Sequence, residues 1–169
     1  MRSRDELVSH ELGWITYRRI PAERCETAPQ RLYVRELAEL GAHEIAGSEG
    51  ASYPFFSPDG RWIAFYAKGR LFKVDLEGGA PVALADAPSP IGGTWREDDT
   101  LVFTPTWNGG LYRMDASGGQ PELLIRPDPK QEYAYVWPYF LRGGRELLFT
   151  TWGNPHSVSR LTFRISSGA

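Results

Sequence analysis

Three histidines, one cysteine and scattered carboxylates are the residues of this chain suited to metal or acid–base chemistry. His10, His43 and His156 stand far apart, and none lies at metal-ligand spacing from another His or Cys, so no metal centre is expected. Cys25 has no second cysteine to bridge to, no C-x-x-C partner and no nearby His, which leaves neither an internal disulfide nor a redox pair. Paired carboxylates such as Asp98 with Asp99, and Glu36 with Glu39, fall at turns or strand ends beside Arg or Lys. General acid–base work would need them buried and convergent, and solvated turn charges are the expectation. Gly47-Ser48-Glu49-Gly50 lacks the spacing of a nucleophile elbow, and no Gly-rich phosphate loop, His-Arg-Asp or Asp-Phe-Gly is present. No catalytic residue and no cofactor are expected.

Contact chemistry is better represented. Trp107, Tyr135, Trp137 and Trp152 lie near connecting loops, where they either pack between structural units or meet a ligand. Pro88 and Pro90 lie in Ala87-Pro-Ser-Pro-Ile-Gly-Gly93, and Asp128 lies in Arg126-Pro-Asp-Pro-Lys130. These long, Pro-rich links are the candidate binding edges. A formal net charge of -2 and the lack of a basic stripe argue against nucleic acid as the partner.

The elements that must position these residues are short strands. In Tyr53-Pro-Phe-Phe-Ser-Pro-Asp-Gly-Arg-Trp-Ile-Ala-Phe-Tyr66, two aromatic and β-branched runs flank Ser57-Pro58-Asp59-Gly60. Pro58 sets φ for a turn, Asp59 can accept from the backbone ahead of it, and Gly60 supplies positive φ. An antiparallel hairpin follows. A third strand is read at 71–75 and a fourth at 81–85, which makes a four-stranded unit of about forty residues, one blade of a β-propeller.

The unit repeats. Leu71-Phe-Lys-Val-Asp75 returns as Leu111-Tyr-Arg-Met-Asp115, Gly78-Gly79 as Gly118-Gly119, and Pro81 as Pro121. Phe56 and Phe140, Gly60 and Gly144, and Phe65 and Phe149 each stand 84 positions apart, two periods of 42. Copies are read at approximately 5–47, 52–86, 92–126 and 135–166, within a single domain over 1–169. The first is the most divergent, with a polar insertion at 21–30 that contains Cys25, and the last is truncated after its third strand. The fold class read is all-β, about four propeller blades, an incomplete ring. Residues 34–40 have helical spacing, but they align with a strand in the other copies and are read as one. Asp59, Asp75 and Asp115 are read as turn formers, and Trp62, Phe65, Phe72, Phe103 and Phe149 as core.

At 41% hydrophobic and 24% charged, the composition is that of an ordinary globular chain, and the 13 prolines and 18 glycines recur at turns with a regular period. No apolar run reaches the length of a membrane span, and Met1-Arg-Ser-Arg-Asp-Glu6 lacks an apolar signal core. The chain as given is expected in the cytoplasm, or outside it as part of a longer membrane-anchored protein.

Phe56-Ser-Pro-Asp-Gly-Arg-Trp-Ile-Ala-Phe65, and Leu71-Phe-Lys-Val-Asp75 followed by Gly-Gly, resemble the TolB-type, WD-like propeller repeat of bacteria. With Gly79-Ala80-Pro81, Trp95 and Phe140-Leu-Arg-Gly-Gly-Arg145, the chain is most similar to propellers attached to some bacterial serine/threonine protein kinases. The resemblance covers nearly all of 5–165 and implies a non-catalytic module that binds a protein or peptide, as sensor or scaffold. Such propellers also accompany peptidases, where they filter substrate, and small ligands can meet a channel mouth. Rings of this family usually have six or more blades, so self-association or additional blades are expected to complete the circle.

Overall fold

The computed structural model describes residues 6–10, 13–17, 30–36, 38, 40–130, 132–153 and 160–165, with backbone pairing alone for 6–10, 13–17 and 160–165. Cys25, His156 and most of the insertion read at 21–30 lie outside these residues, as does the side chain of His10. Among the described residues fifteen strands form four antiparallel sheets, and there is no helix. The first blade contains β1 (Glu6–His10), β2 (Gly13–Tyr17), β3 (Tyr33–Arg35) and β4 (His43–Glu44). The second contains β5 (Ser52–Phe56), β6 (Trp62–Ala67), β7 (Arg70–Asp75) and β8 (Val82–Asp86). In the third, β9 (Gly93–Trp95), β10 (Thr100–Phe103), β11 (Leu111–Asp115) and β12 (Gly118–Ile125) follow the same order. The fourth has β13 (Glu132–Phe140), β14 (Glu146–Gly153) and β15 (Arg160–Ile165). This is an open arc of propeller blades.

The arc has an inside and an outside. First strands pack on first strands, β1 on β5, β5 on β9 and β9 on β13, while the outer strands β8 and β12 meet at the rim. Among the described residues these contacts join consecutive blades.

The blades stick together through the two faces of each sheet. Between the second and third, Phe55, Ala64, Tyr66, Leu71 and Ala85 meet Trp95, Leu101, Phe103 and Met114 in one apolar cluster. Gly93 is where that interface is tightest, because a Cβ built there would lie 2.4 Å from the Phe55 ring and 3.1 Å from the Tyr66 hydroxyl. On the other face of the second blade, Ile63, Phe65 and Val74 pack with Leu32 and Ile45 of the first. Phe65, Phe103 and Phe149 are buried as their strand positions require. Trp62 and Phe72 are half-buried, and the Trp62 ring is covered from outside by the Lys73 ammonium, 4.7 Å from its centroid.

The hairpin turn is built as its residues dictate. The Asp59 carboxylate accepts from the Arg61 amide at 3.0 Å and from the Ser57 hydroxyl at 2.5 Å, and these two bonds, the Ser57 one first, hold its carboxyl below the ordinary range. Gly60 takes φ +71°. Asp75 and Asp115 do the same for the amides of Glu77 and Ser117, at 2.9 and 2.7 Å. The Asp59→Ala variant is expected to lose about 1–2 kcal/mol, as a lost cap does. A urea midpoint unchanged from the parent's would contradict this turn-forming role.

In the first blade the third strand is shorter than its repeat alignment: only Tyr33–Arg35 pairs, with Trp14 to Thr16. Glu36, Ala38 and Leu40 lie outside the ladder and are exposed, Leu40 at 99%.

Candidate functional site

Strand order decides which loops share an end. In an antiparallel blade the links from first to second strand and from third to fourth lie at one end. The links from second to third strand, and from the fourth to the next blade, lie at the other. The second group includes 45–51, 87–92 and 126–130 between blades, with 68–69 and 104–110 inside them. Hydrogen bonds tie them together: Ala87 N to Gly69 O at 2.7 Å, Ser89 N to Pro105 O at 3.2 Å, and Tyr135 N to Gly109 O at 3.0 Å. Inside this end the Thr104 hydroxyl donates to the Tyr135 carbonyl at 3.0 Å.

All seven residues singled out as binding candidates belong to loops or strands that open at this one end. Pro88 is exposed and Pro90 half-buried. Trp107, on the 104–110 link, is 54% exposed. Asp128 is exposed, and its carboxylate accepts from the Lys130 amide at 3.0 Å, so it shapes its own turn. Tyr135 is buried, with its ring 4.8 Å from that of Phe149 in the cluster with Val102, Leu111 and Leu147. That burial removes Tyr135 from the candidate contacts, because β13 turns this side chain towards the third blade. Trp137 stays 47% exposed and stands edge-on to half-buried Trp152, with centroids 5.4 Å apart and planes at 84°. Trp152 in turn packs on Ile91, Ala134 and Val136.

Inspection of the backbone adds one residue that the sequence reading missed. Tyr53 and Trp137 both adopt left-handed conformations, φ 46° and 51°. They are 84 positions apart, the same repeat position, and each precedes a proline, Pro54 or Pro138. Gly92, at the matching place in the third blade, has φ +79°. Each aromatic sits where the strand pairing slips, between Ser52 and Phe55 on β5 and between Val136 and Tyr139 on β13. A bulky non-glycine residue in this region costs about 1–3 kcal/mol, and a following proline narrows its options further. Glycine would sit there unstrained, as it does at 92. The repeated Tyr-Pro and Trp-Pro dipeptides were the available signal, visible once the 84-residue spacing was applied to them.

These positions join into one band. Tyr53 stands edge-on to Tyr66, centroids 6.5 Å apart at 77°. The buried Tyr66 hydroxyl donates to Gly92 O at 2.9 Å, and burial pushes its pKa well above the ordinary value, so it remains a neutral donor. A Cβ on Gly92 would lie 3.0 Å from Trp137 Cα and 3.1 Å from Trp137 Cδ1, so the tryptophan leans across the glycine. Trp152 completes the band.

Ion pairs occur at both ends: Arg70 bonds Asp86 at 3.1 Å at the end with the inter-blade links, and others close turns at the opposite end. Arg61 bonds Asp75 there at 2.9 Å, and Arg96 bonds Asp98 at 2.5 Å. The Arg96 guanidinium, aided by Thr100, lowers the Asp98 carboxyl to about 2. These carboxylates are engaged with turns. Among the described residues no group of three or more His, Cys, Asp or Glu is placed to hold a metal ion.

No protein-family model matches the chain, and no curated protein matches it. Solved structures do. TolB from Acinetobacter baumannii is similar over 100% of this chain and 43% of its own, with TM-score 0.74 and 17% identity. A putative TolB from Agrobacterium tumefaciens is similar over 90% of this chain and 57% of its own, with TM-score 0.71 and 12% identity. The Pyrococcus horikoshii acylaminoacyl peptidase is similar over 97% of this chain and 31% of its own, with TM-score 0.63 and 12% identity. The chain therefore spans from about a third to somewhat over half the length of these propeller proteins. It has a TolB-like β-propeller fold, and at these identities the likeness is one of fold.

Proposed function

We propose that the chain is a non-catalytic propeller module that binds a protein or peptide partner at the end formed by the links 87–92, 104–110 and 126–130. The observation that carries this reading is the gathering of exposed aromatics at one end of the blades. Exposed aromatics, Tyr53, Trp107 and Trp137, gather where the inter-blade links meet. Exposed aromatic anchors are the residues that dominate interface cores. The finer assignment, a sensor or scaffold portion of a bacterial signalling kinase, rests on the sequence resemblance of 56–65 and 140–145. A second reading, the substrate-filtering propeller of a peptidase, is favoured by the likeness to the acylaminoacyl peptidase. We include in the proposal that further blades, from a second copy or a longer chain, cover the outer faces of the first and fourth blades.

Selection of displayed random peptides on the immobilised chain tests the binding reading. Enriched peptides are expected to compete with one another and to lose affinity for Trp107→Ala, while Asp59→Ala, at the far end, leaves their binding unchanged. Failure to enrich any competing set, or equal loss in both variants, would overturn it.

A further inference from the structure

The band of Tyr53, Tyr66, Gly92, Trp137 and Trp152 is more specific than a generic sticky end, and what it lacks defines its ligand. It lacks strand-pairing capacity: Pro54 and Pro138 remove amide donors from the inner strands where the register of β5 and β13 slips. An added β-strand would find no continuous ladder there. Its five residues are four aromatics and a glycine, so a phosphate, a carboxylate or a cation gains no ionic partner from them. What it offers is exposed aromatic faces and two donors. Neither the Tyr53 hydroxyl nor the Trp137 indole N–H has a hydrogen-bond partner among the described residues.

From these features, and building on the peptide-binding reading above, we infer that the band takes a proline-rich segment in the polyproline II conformation. Such a segment has no internal hydrogen bonds, repeats every three residues and rises about 3.1 Å per residue. It presents flat pyrrolidine faces to aromatic side chains and carbonyl oxygens to donors, and it needs no sheet edge. Indole and phenol match both requirements, because each has an apolar face and a single donor at its rim. The left-handed backbone at 53 and 137 holds these side chains in place, at positions where glycine would be relaxed. Both strained positions carry aromatics that stay 42% and 47% exposed, so their rings remain available to a ligand.

Intrinsic tryptophan fluorescence reads the site directly, because Trp137 and Trp152 belong to it. Titration with a proline-rich peptide of about ten residues, about 31 Å long when extended as polyproline II, is expected to give a saturable change. Tyr53→Gly and Trp137→Gly should each weaken binding at least about tenfold, the scale of one lost anchor. Both variants should still melt cooperatively. That separates a lost contact from a lost fold. A Thr/Val-rich peptide of equal length should not bind.

No saturable binding of the proline-rich peptide, or binding untouched in both glycine variants, overturns the inference. Equal binding of the Thr/Val peptide would mean strand addition instead, and saturation by a linear oligosaccharide alone would reassign the band to sugar; either result overturns it. If random peptides without proline are still captured through Trp107, the general binding role stands and only the polyproline assignment falls.

Discussion

Phe103→Ala lowers the stability of the chain by about 3–5 kcal/mol, the range for truncating a buried aromatic. Phe103 is fully buried, in the cluster that joins the second blade to the third, with its ring 6.4 Å from that of Tyr112. It pairs with Gly93 on one side and Tyr112 on the other. The resulting cavity would open between two sheets. Neither could collapse into it without disturbing Gly93, which is already in contact with Phe55 and Tyr66. Urea unfolding should show the loss as a lower midpoint at constant slope. Val82→Ala, on an outer strand where the side chain is 51% exposed, should stay within about 0.5 kcal/mol and serves as control. A Phe103→Ala loss under about 1 kcal/mol would mean that the blades do not share a core here.

Light scattering at micromolar concentration is expected to show the isolated chain above monomer mass. The first and fourth blades have a neighbouring blade on one side only, whereas the second and third are covered on both. On the inner strand of the fourth blade, Tyr133 and Tyr139 are 51% and 61% exposed. Closed propellers cover such faces with the next blade. An apolar sheet face left in water is the kind of patch that drives association once it exceeds a few hundred Å². The TolB structures it resembles extend well beyond the matched part. A stable monomer of compact radius with a cooperative melt would refute the prediction.

Much of this architecture was legible in the sequence, and the reason is local. Strand patterning at 62–67 and 111–115, the Ser57-Pro58-Asp59-Gly60 turn, and the Asp-to-Gly-Gly turns after Asp75 and Asp115 each depend on residues adjacent in the chain. Repetition at 40 to 42 residues then implies identical units, and units with two apolar faces must stack. The convergence of Pro88, Trp107, Trp137 and Trp152 at one end also follows, because antiparallel order fixes which links lie together.

Tertiary structure decided the rest. Tyr135 and Trp137 are two residues apart on one strand, and alternation alone would give them the same face. The slip between Val136 and Tyr139 separates them, so that Tyr135 packs on Phe149 while Trp137 stays exposed. Tyr53 reads as an ordinary strand aromatic until its φ of 46° is seen. A left-handed residue before proline is locally unfavourable, so no propensity argument selects it. It persists because pairing to β6, contact with Tyr66 and the packing of adjacent blades together outweigh the local strain.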